Sequence, residues 1–89
     1  MNSNENWGLR IDNAVYKELD KFPQKDFKRI AKVIELLPSD PYAGDMQKIK
    51  GEESIWRRRT GSYRIFYEIK KMERVIQVFW VERKTSSTY

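Results

Sequence analysis

The 89-residue chain contains neither cysteine nor histidine. The first absence removes disulfides, thiolate nucleophiles and zinc-thiolate sites, and the second removes the usual general base and the commonest metal ligand. No metal or cofactor is therefore expected, and any chemistry must use other groups. No apolar run approaches the roughly 18 residues needed to span a bilayer, and the polar, Asn-rich start does not resemble a signal peptide. The expectation is a cytoplasmic chain without membrane contact. No repeat or low-complexity tract is present, and the length leaves room for one modest core, so residues 1–89 are expected to form a single domain.

What the chain does have is charge, unevenly placed. Its 18 Lys and Arg exceed its 13 Asp and Glu. Residues 1–45 hold seven basic and eight acidic side chains, whereas residues 46–89 hold eleven basic and five acidic ones. The whole excess thus lies in the second half. A solvated basic face is the bland reading of such a distribution. Three successive arginines, Arg57, Arg58 and Arg59, favour a polyanion site instead, because the guanidinium fork suits phosphate.

Hydrophobic periodicity divides the chain in two. Trp7, Leu9 and Ile11 alternate, as in a short strand. Asp12 or Asn13 can cap the next segment, where Val15, Leu19 and Phe22 recur at helical spacing. Pro23 suits the first turn of a second helix, whose stripe is Phe27, Ile30, Ala31, Ile34 and Leu37. The two helices are expected to form a hairpin. Pro38, Asp40, Pro41 and Gly44 then mark a loop. Beyond it the period changes to two, predicting strands over 55–60, 63–69 and 75–83 joined by short turns into an antiparallel meander. The order β-α-α-β-β-β implies an α+β domain, with the helix hairpin packed on one face of a twisted, mainly antiparallel sheet.

Strand parity sorts the side chains between the two faces. Tyr63, Ile65, Tyr67 and Ile69 form a core row, which turns Arg64 outward. On the last strand Ile76, Val78 and Trp80 make the better core row, placing Phe79, Val81 and Arg83 outside. Trp56 is the anchor of the first meander strand, so Arg57 and Arg59 face outward too. Arg58 shares the parity of Trp56, and its head is expected in water at the sheet edge. Four arginines, Arg57, Arg59, Arg64 and Arg83, thereby converge around Phe79, with Tyr89 as a further stacking ring and Lys48, Lys50 and Lys84 as additional cations. Cations for phosphate and aromatic surface for bases are the two ingredients of single-stranded nucleic-acid binding.

Ile49-Lys50-Gly51 followed by Ile55 to Tyr67 resembles the RelE/ParE superfamily of type II toxin-antitoxin toxins. The family pattern has Leu-Lys-Gly, a short gap, Trp-Arg-x-Arg-x-Gly-x-Tyr-Arg-x-x-Tyr, and a final strand ending in an arginine segment and a tyrosine. Trp56, Arg57, Arg59, Gly61, Tyr63, Arg64 and Tyr67 match it in register, and Arg83 and Tyr89 complete it. The resemblance covers essentially the whole chain and is most specific from Ile49 to Tyr67.

This resemblance implies a RelE-like fold and a toxin neutralised by an acidic cognate antitoxin. In the RelE branch the activity is an endoribonuclease (mRNA interferase) that cuts mRNA on the ribosome and blocks translation. Carried over by position, Arg64 matches the arginine that stabilises the scissile phosphate, Arg83 the one suggested to protonate the leaving 5′ oxygen, and Tyr89 the tyrosine that stacks on or orients the substrate. Arg57 stands where the RelE branch has a lysine suggested as general base, which is a departure from the pattern. Guanidinium holds its proton to a pKa above about 12 and makes a poor base. Lys48, Lys50, Lys84, Glu82 and the Tyr89 carboxylate remain candidates, beside a mechanism with no dedicated base and an in-line geometry imposed by the ribosome. Two other readings share the strand motif: a ParE-like toxin that inhibits DNA gyrase without cutting RNA, and an inactive member that only binds antitoxin and operator DNA. The arginine six residues before the terminal tyrosine favours the nuclease.

Overall fold

Alternation at every second residue and an apolar stripe at helical spacing leave this chain few ways to bury its hydrophobic surface. The computed structural model describes residues 7–84 and contains β1 (Gly8–Ile11), α1 (Asn13–Leu19), α2 (Gln24–Leu36), β2 (Met46–Lys48), β3 (Ile55–Thr60), β4 (Tyr63–Lys70) and β5 (Val75–Arg83). The strands form one sheet in the order β1-β5-β4-β3-β2. β1 runs parallel to β5, and the other neighbours are antiparallel. The α+β architecture expected from the sequence is therefore the one observed. The addition is β2, a three-residue strand on the outer edge of β3, too short to show a period of its own. None of the helices among the described residues is long and apolar enough to cross a membrane.

Local sequence explains the helix boundaries. Asp12 occupies the N-cap of α1 in extended backbone. Its carboxylate serves tertiary structure, accepting a hydrogen bond of 2.8 Å from Gln77 Nε2. Pro23 is the N-cap of α2, one position before the first turn in which it was expected. Such an offset is ordinary for helix ends.

β4 organises the core. Tyr63, Ile65, Tyr67 and Ile69 are all buried and pack with Val15 and Leu19 of α1, Ile30 and Ile34 of α2, Leu37 just after it, and Ile76, Val78 and Val81 of β5. Both core tyrosines keep their hydroxyls paired, as buried polar groups require. Tyr63 donates to Asp26 Oδ2 at 2.6 Å and Tyr67 to the Pro41 carbonyl at 3.1 Å. Pairing through Pro41 ties the 38–45 loop to the sheet.

The parity expected on β5 holds only at its start. Ile76 and Val78 are buried, but Trp80 is 36% exposed while Val81 is fully buried. The cause is a register shift in the β4–β5 ladder: Phe66 pairs with Trp80, yet Tyr67 pairs with Val78. Phe79 is the inserted residue of a β-bulge, and one extra residue transposes every later side chain to the other face. Trp80 thus leaves the core row assigned to it, and Val81 and Arg83 join that row.

Burial raises the Tyr67 phenol from 10.0 to about 12, with Arg58 pulling it down less strongly. A group whose folded pKa lies above its unfolded value contributes its full stabilisation below the unfolded pKa and loses it as pH rises through the folded one. Two pKa units correspond to about 2 to 3 kcal/mol. In urea titrations at steps from about pH 9 to 11.5, wild type is expected to lose stability more steeply than Tyr67→Phe. Near neutral pH the variant should be weaker by about 1 kcal/mol for its lost hydrogen bond. Equal slopes in the alkaline range would refute the assignment.

Candidate nucleic-acid interface

Both helices pack on one face of the sheet, so the opposite face stays open. Register places its residues unambiguously, because directly opposed residues share a face. Arg57 pairs with Phe66, Arg59 with Arg64, and Arg64 with Glu82. All stand opposite to the core row of Tyr63, Ile65 and Tyr67. The open face therefore carries Arg57, Arg59 and Arg64 beside Phe66, Phe79 and Trp80. Phe66 and Phe79 lie 6.4 Å apart in a tilted arrangement, a geometry that aromatic pairs favour. Because Phe79 is the bulge residue, its ring stays on this face as expected. Arg10 joins the same surface through its pairing with Gln77. Sequence reasoning missed it, although its place between Leu9 and Ile11 in an alternating strand was the available signal.

Each of the three open-face arginines of the meander has an acceptor nearby. Arg57 donates to the Gln47 side-chain oxygen. Arg59 Nε donates to Asp45 Oδ2 at 3.0 Å in an exposed ion pair. Arg64 is held less completely: Nη1 lies 3.9 Å from Glu82 Oε2, and Nε is buried without a hydrogen-bond partner. Glu82 is fixed from its other side by Trp80 Nε1, which donates to Oε1 at 3.2 Å. Arg64 is thus an under-satisfied guanidinium, with one carboxylate in range of its charge but beyond a good hydrogen bond.

Two arginines depart from their expected places. Arg83 pairs with Tyr63, so it stands on the helix side of the sheet, with its guanidinium carbon 6.0 Å from the Tyr63 ring centroid. The convergence of four arginines is corrected to three plus Arg10, and the bulge at Phe79 is the reason. Arg58 faces the helix side as its parity requires, but its head does not sit freely in water. Its Nε is buried without a partner, and a Cβ on Gly44 would come within 2.7 Å of its Nη2. Gly44, at φ +83°, permits this close passage of the loop over Arg58.

Of the other expected cations, Lys48 pairs with Trp56 and so belongs to the helix-side row. Lys50 follows it, exposed, in the β2–β3 connection outside the paired strands. Lys84 is exposed beyond β5, its backbone N–H donating to the Ser62 carbonyl at 2.6 Å. Tyr89 lies outside the described residues.

The fold that carries this face has counterparts among known proteins. Residues 9–85 match the family model of the ParE toxin of type II toxin-antitoxin systems, parDE, and the chain belongs to that family. It is 26% identical over 81 residues to RelE1 of Methanocaldococcus jannaschii, a candidate toxin, covering 88% of this chain and 90% of that protein. Among solved structures, the RelB-RelE antitoxin-toxin complex from Methanococcus jannaschii aligns at 27% identity and a TM-score of 0.70, over 83% of this chain and 88% of that one. RelE in the archaeal RelE-RelB complex from Pyrococcus horikoshii superposes with a TM-score of 0.79 at 22% identity, over 92% and 99% of the two chains. The isolated E. coli RelE toxin gives 0.73 at 21%, over 91% and 87%. These last two likenesses support the RelE-like fold.

The Asp45 carboxylate competes with any anion for Arg59. An exposed pair of this kind contributes roughly 0.2 to 1 kcal/mol. Asp45→Asn is therefore expected to raise affinity for heparin, used as a generic polyanion, by about 2- to 5-fold at low salt, with the gain shrinking as salt screens it. Unchanged binding would show that Arg59 does not meet the polyanion.

Proposed function

We propose that this chain is the toxin of a type II toxin-antitoxin pair and acts as a RelE-like endoribonuclease on mRNA bound to the ribosome. The observation that carries the reading is Arg64: an under-satisfied guanidinium on an open sheet face, beside a fixed carboxylate and an aromatic surface. Single-stranded RNA suits such a surface, its phosphates meeting Arg57, Arg59 and Arg64 and its bases stacking on Phe79 and Trp80.

Cleavage by the neighbouring 2′-OH needs proton removal and stabilisation of the phosphorane. In the proposed step Glu82 takes the 2′-OH proton while the 2′ oxygen bonds to phosphorus. Arg64 stabilises the charge that develops on the non-bridging oxygens. The bond to the 5′ oxygen breaks, and that oxygen takes a proton from solvent, leaving a 2′,3′-cyclic phosphate and a 5′-OH. Of the base candidates from the sequence, Glu82 is the one found facing Arg64. Arg83 stands on the other face, so protonation of the leaving group is not assigned to it. The partner is a cognate antitoxin, a reading supported by the antitoxin complexes of the RelE relatives, and an acidic segment of it is proposed to cover the arginine face. The match to a family model named for ParE favours a second reading, a ParE-like toxin that acts by binding DNA gyrase.

Induced expression followed by primer extension on cellular mRNA separates the two readings. Codon-phased cuts are expected from wild type. Arg64→Ala should reduce them about 100-fold or more, in line with the loss of a transition-state donor. Glu82→Gln should also suppress them, whereas Glu73→Gln in the β4–β5 turn should not. Intact mRNA together with inhibited supercoiling by purified gyrase would overturn the nuclease reading.

A further inference from the structure

The bulge that removes Arg83 from the open face delivers it to a second group of charged residues at the end of the sheet. Tyr63 is at its centre. The Tyr63 ring packs against Phe22, with centroids 4.6 Å apart, and its hydroxyl is bonded to Asp26 of α2. Arg83 lies over the ring from β5. From α2 comes Arg29, whose guanidinium rests on the β3–β4 turn: a Cβ on Gly61 would stand 3.1 Å from its Cζ. Gly61 has φ +59°, so the missing side chain permits both the turn and the close approach of Arg29.

Arg29 and Arg83 both act on the Tyr63 phenol. Burial and the Asp26 bond raise its pKa, and the two arginines oppose that shift. Two cations from different elements therefore gather at this end of the sheet, Arg83 over the Tyr63 ring and Arg29 against the β3–β4 turn. Among the described residues neither enters an ion pair. Asp26, the acidic group of the cluster, is engaged by the Tyr63 hydroxyl. Both arginines are exposed, so their forks are open to an incoming anion. The β3–β4 turn is the boundary between this cluster and the open face, since Arg59 and Arg64 are the last and first such cations on either side of it.

We propose that Arg29 and Arg83 form a second phosphate site, which takes a phosphodiester of the same RNA strand after it has passed from Arg59 and Arg64 over the Gly61-Ser62 turn. The inference rests on the RNA reading and extends it. The scissile phosphate lies on the open face, and the helix side holds a flanking one. Arg29 is accordingly a substrate-positioning residue that the sequence motif does not contain.

The test uses the full chain and fluorescence anisotropy with 2′-O-methyl, hence uncleavable, single-stranded RNA of three and of nine nucleotides. Arg29→Ala should weaken binding of the nonamer about 3- to 10-fold, lower its salt slope by about one contact, and leave the trimer unchanged. Arg29→Lys should retain most of the nonamer affinity. Arg59→Ala should weaken both RNAs. If Arg29→Ala leaves the nonamer and its salt slope unchanged while Arg59→Ala weakens both, the second site is refuted and the RNA reading survives. Equal weakening of trimer and nonamer by Arg29→Ala would also refute it, because Arg29 would then belong to the open-face site. If neither RNA binds wild type, the RNA reading fails and this inference fails with it. Circular dichroism and urea unfolding of each variant identify any loss of fold, which is not expected at exposed residues.

Discussion

The ladder between β4 and β5 is the constraint on which the rest of this molecule depends. β4 supplies four buried side chains to the core, and β5 lies along one of its edges and itself carries β1 on the far side. A single inserted residue, Phe79, decides which side chains of β5 stay inside. Without that insertion Trp80 would have to fit under the helices and Val81 would be exposed. With it, a small β-branched residue fills the core position and the indole turns outward, where its N–H fixes Glu82. The stability of the core and the composition of the open face are therefore set by one backbone irregularity, as is common where bulges re-aim side chains near sites.

The open face gathers groups that each do one thing well. Arginines hold charge permanently and offer planar forks, so they suit phosphate but cannot cycle protons. In the proposed cleavage step the carboxylate of Glu82 supplies what they lack. Asp45 and Gln47 occupy two of the forks in the free protein at little energetic cost, since exposed pairs are weak. The face is thus kept ordered without being locked, and an anion exchanges with acceptors already in place. On the helix side, by contrast, the polar groups of Tyr63 and Tyr67 are bound into the core through Asp26 and Pro41, where an unmade bond would cost more.

Much of this was legible in the chain, for physical reasons that also mark where reading stops. The helix stripe, the change of period after the loop and the rows on β3 and β4 follow from alternation without insertion. Arg57, Arg59 and Arg64 fell where parity put them. The segment from Val78 to Val81 is apolar on both parities, so nothing in it signalled the extra residue, and Arg83 and Trp80 were misplaced together. Arg58 needed knowledge of where the 38–45 loop passes. β2 is three residues long and is defined by its partner. Arg29 sits on the polar side of a helix, where one arginine looks like any other until the turn beneath it is seen. Motif similarity located the family, whereas the pairing of Glu82 with Arg64 required the register.

The parallel pairing of β1 with β5 joins the earliest element of the sheet to the last of the described ones. Contacts between such distant segments close slowly, because the intervening chain must be ordered first. During synthesis β1 has no partner until β5 has been made. The sheet, and with it the open basic face, is completed only after β5 has emerged. Until β5 is available the open face is unfinished, and that interval is one in which a partner can reach the incomplete sheet first.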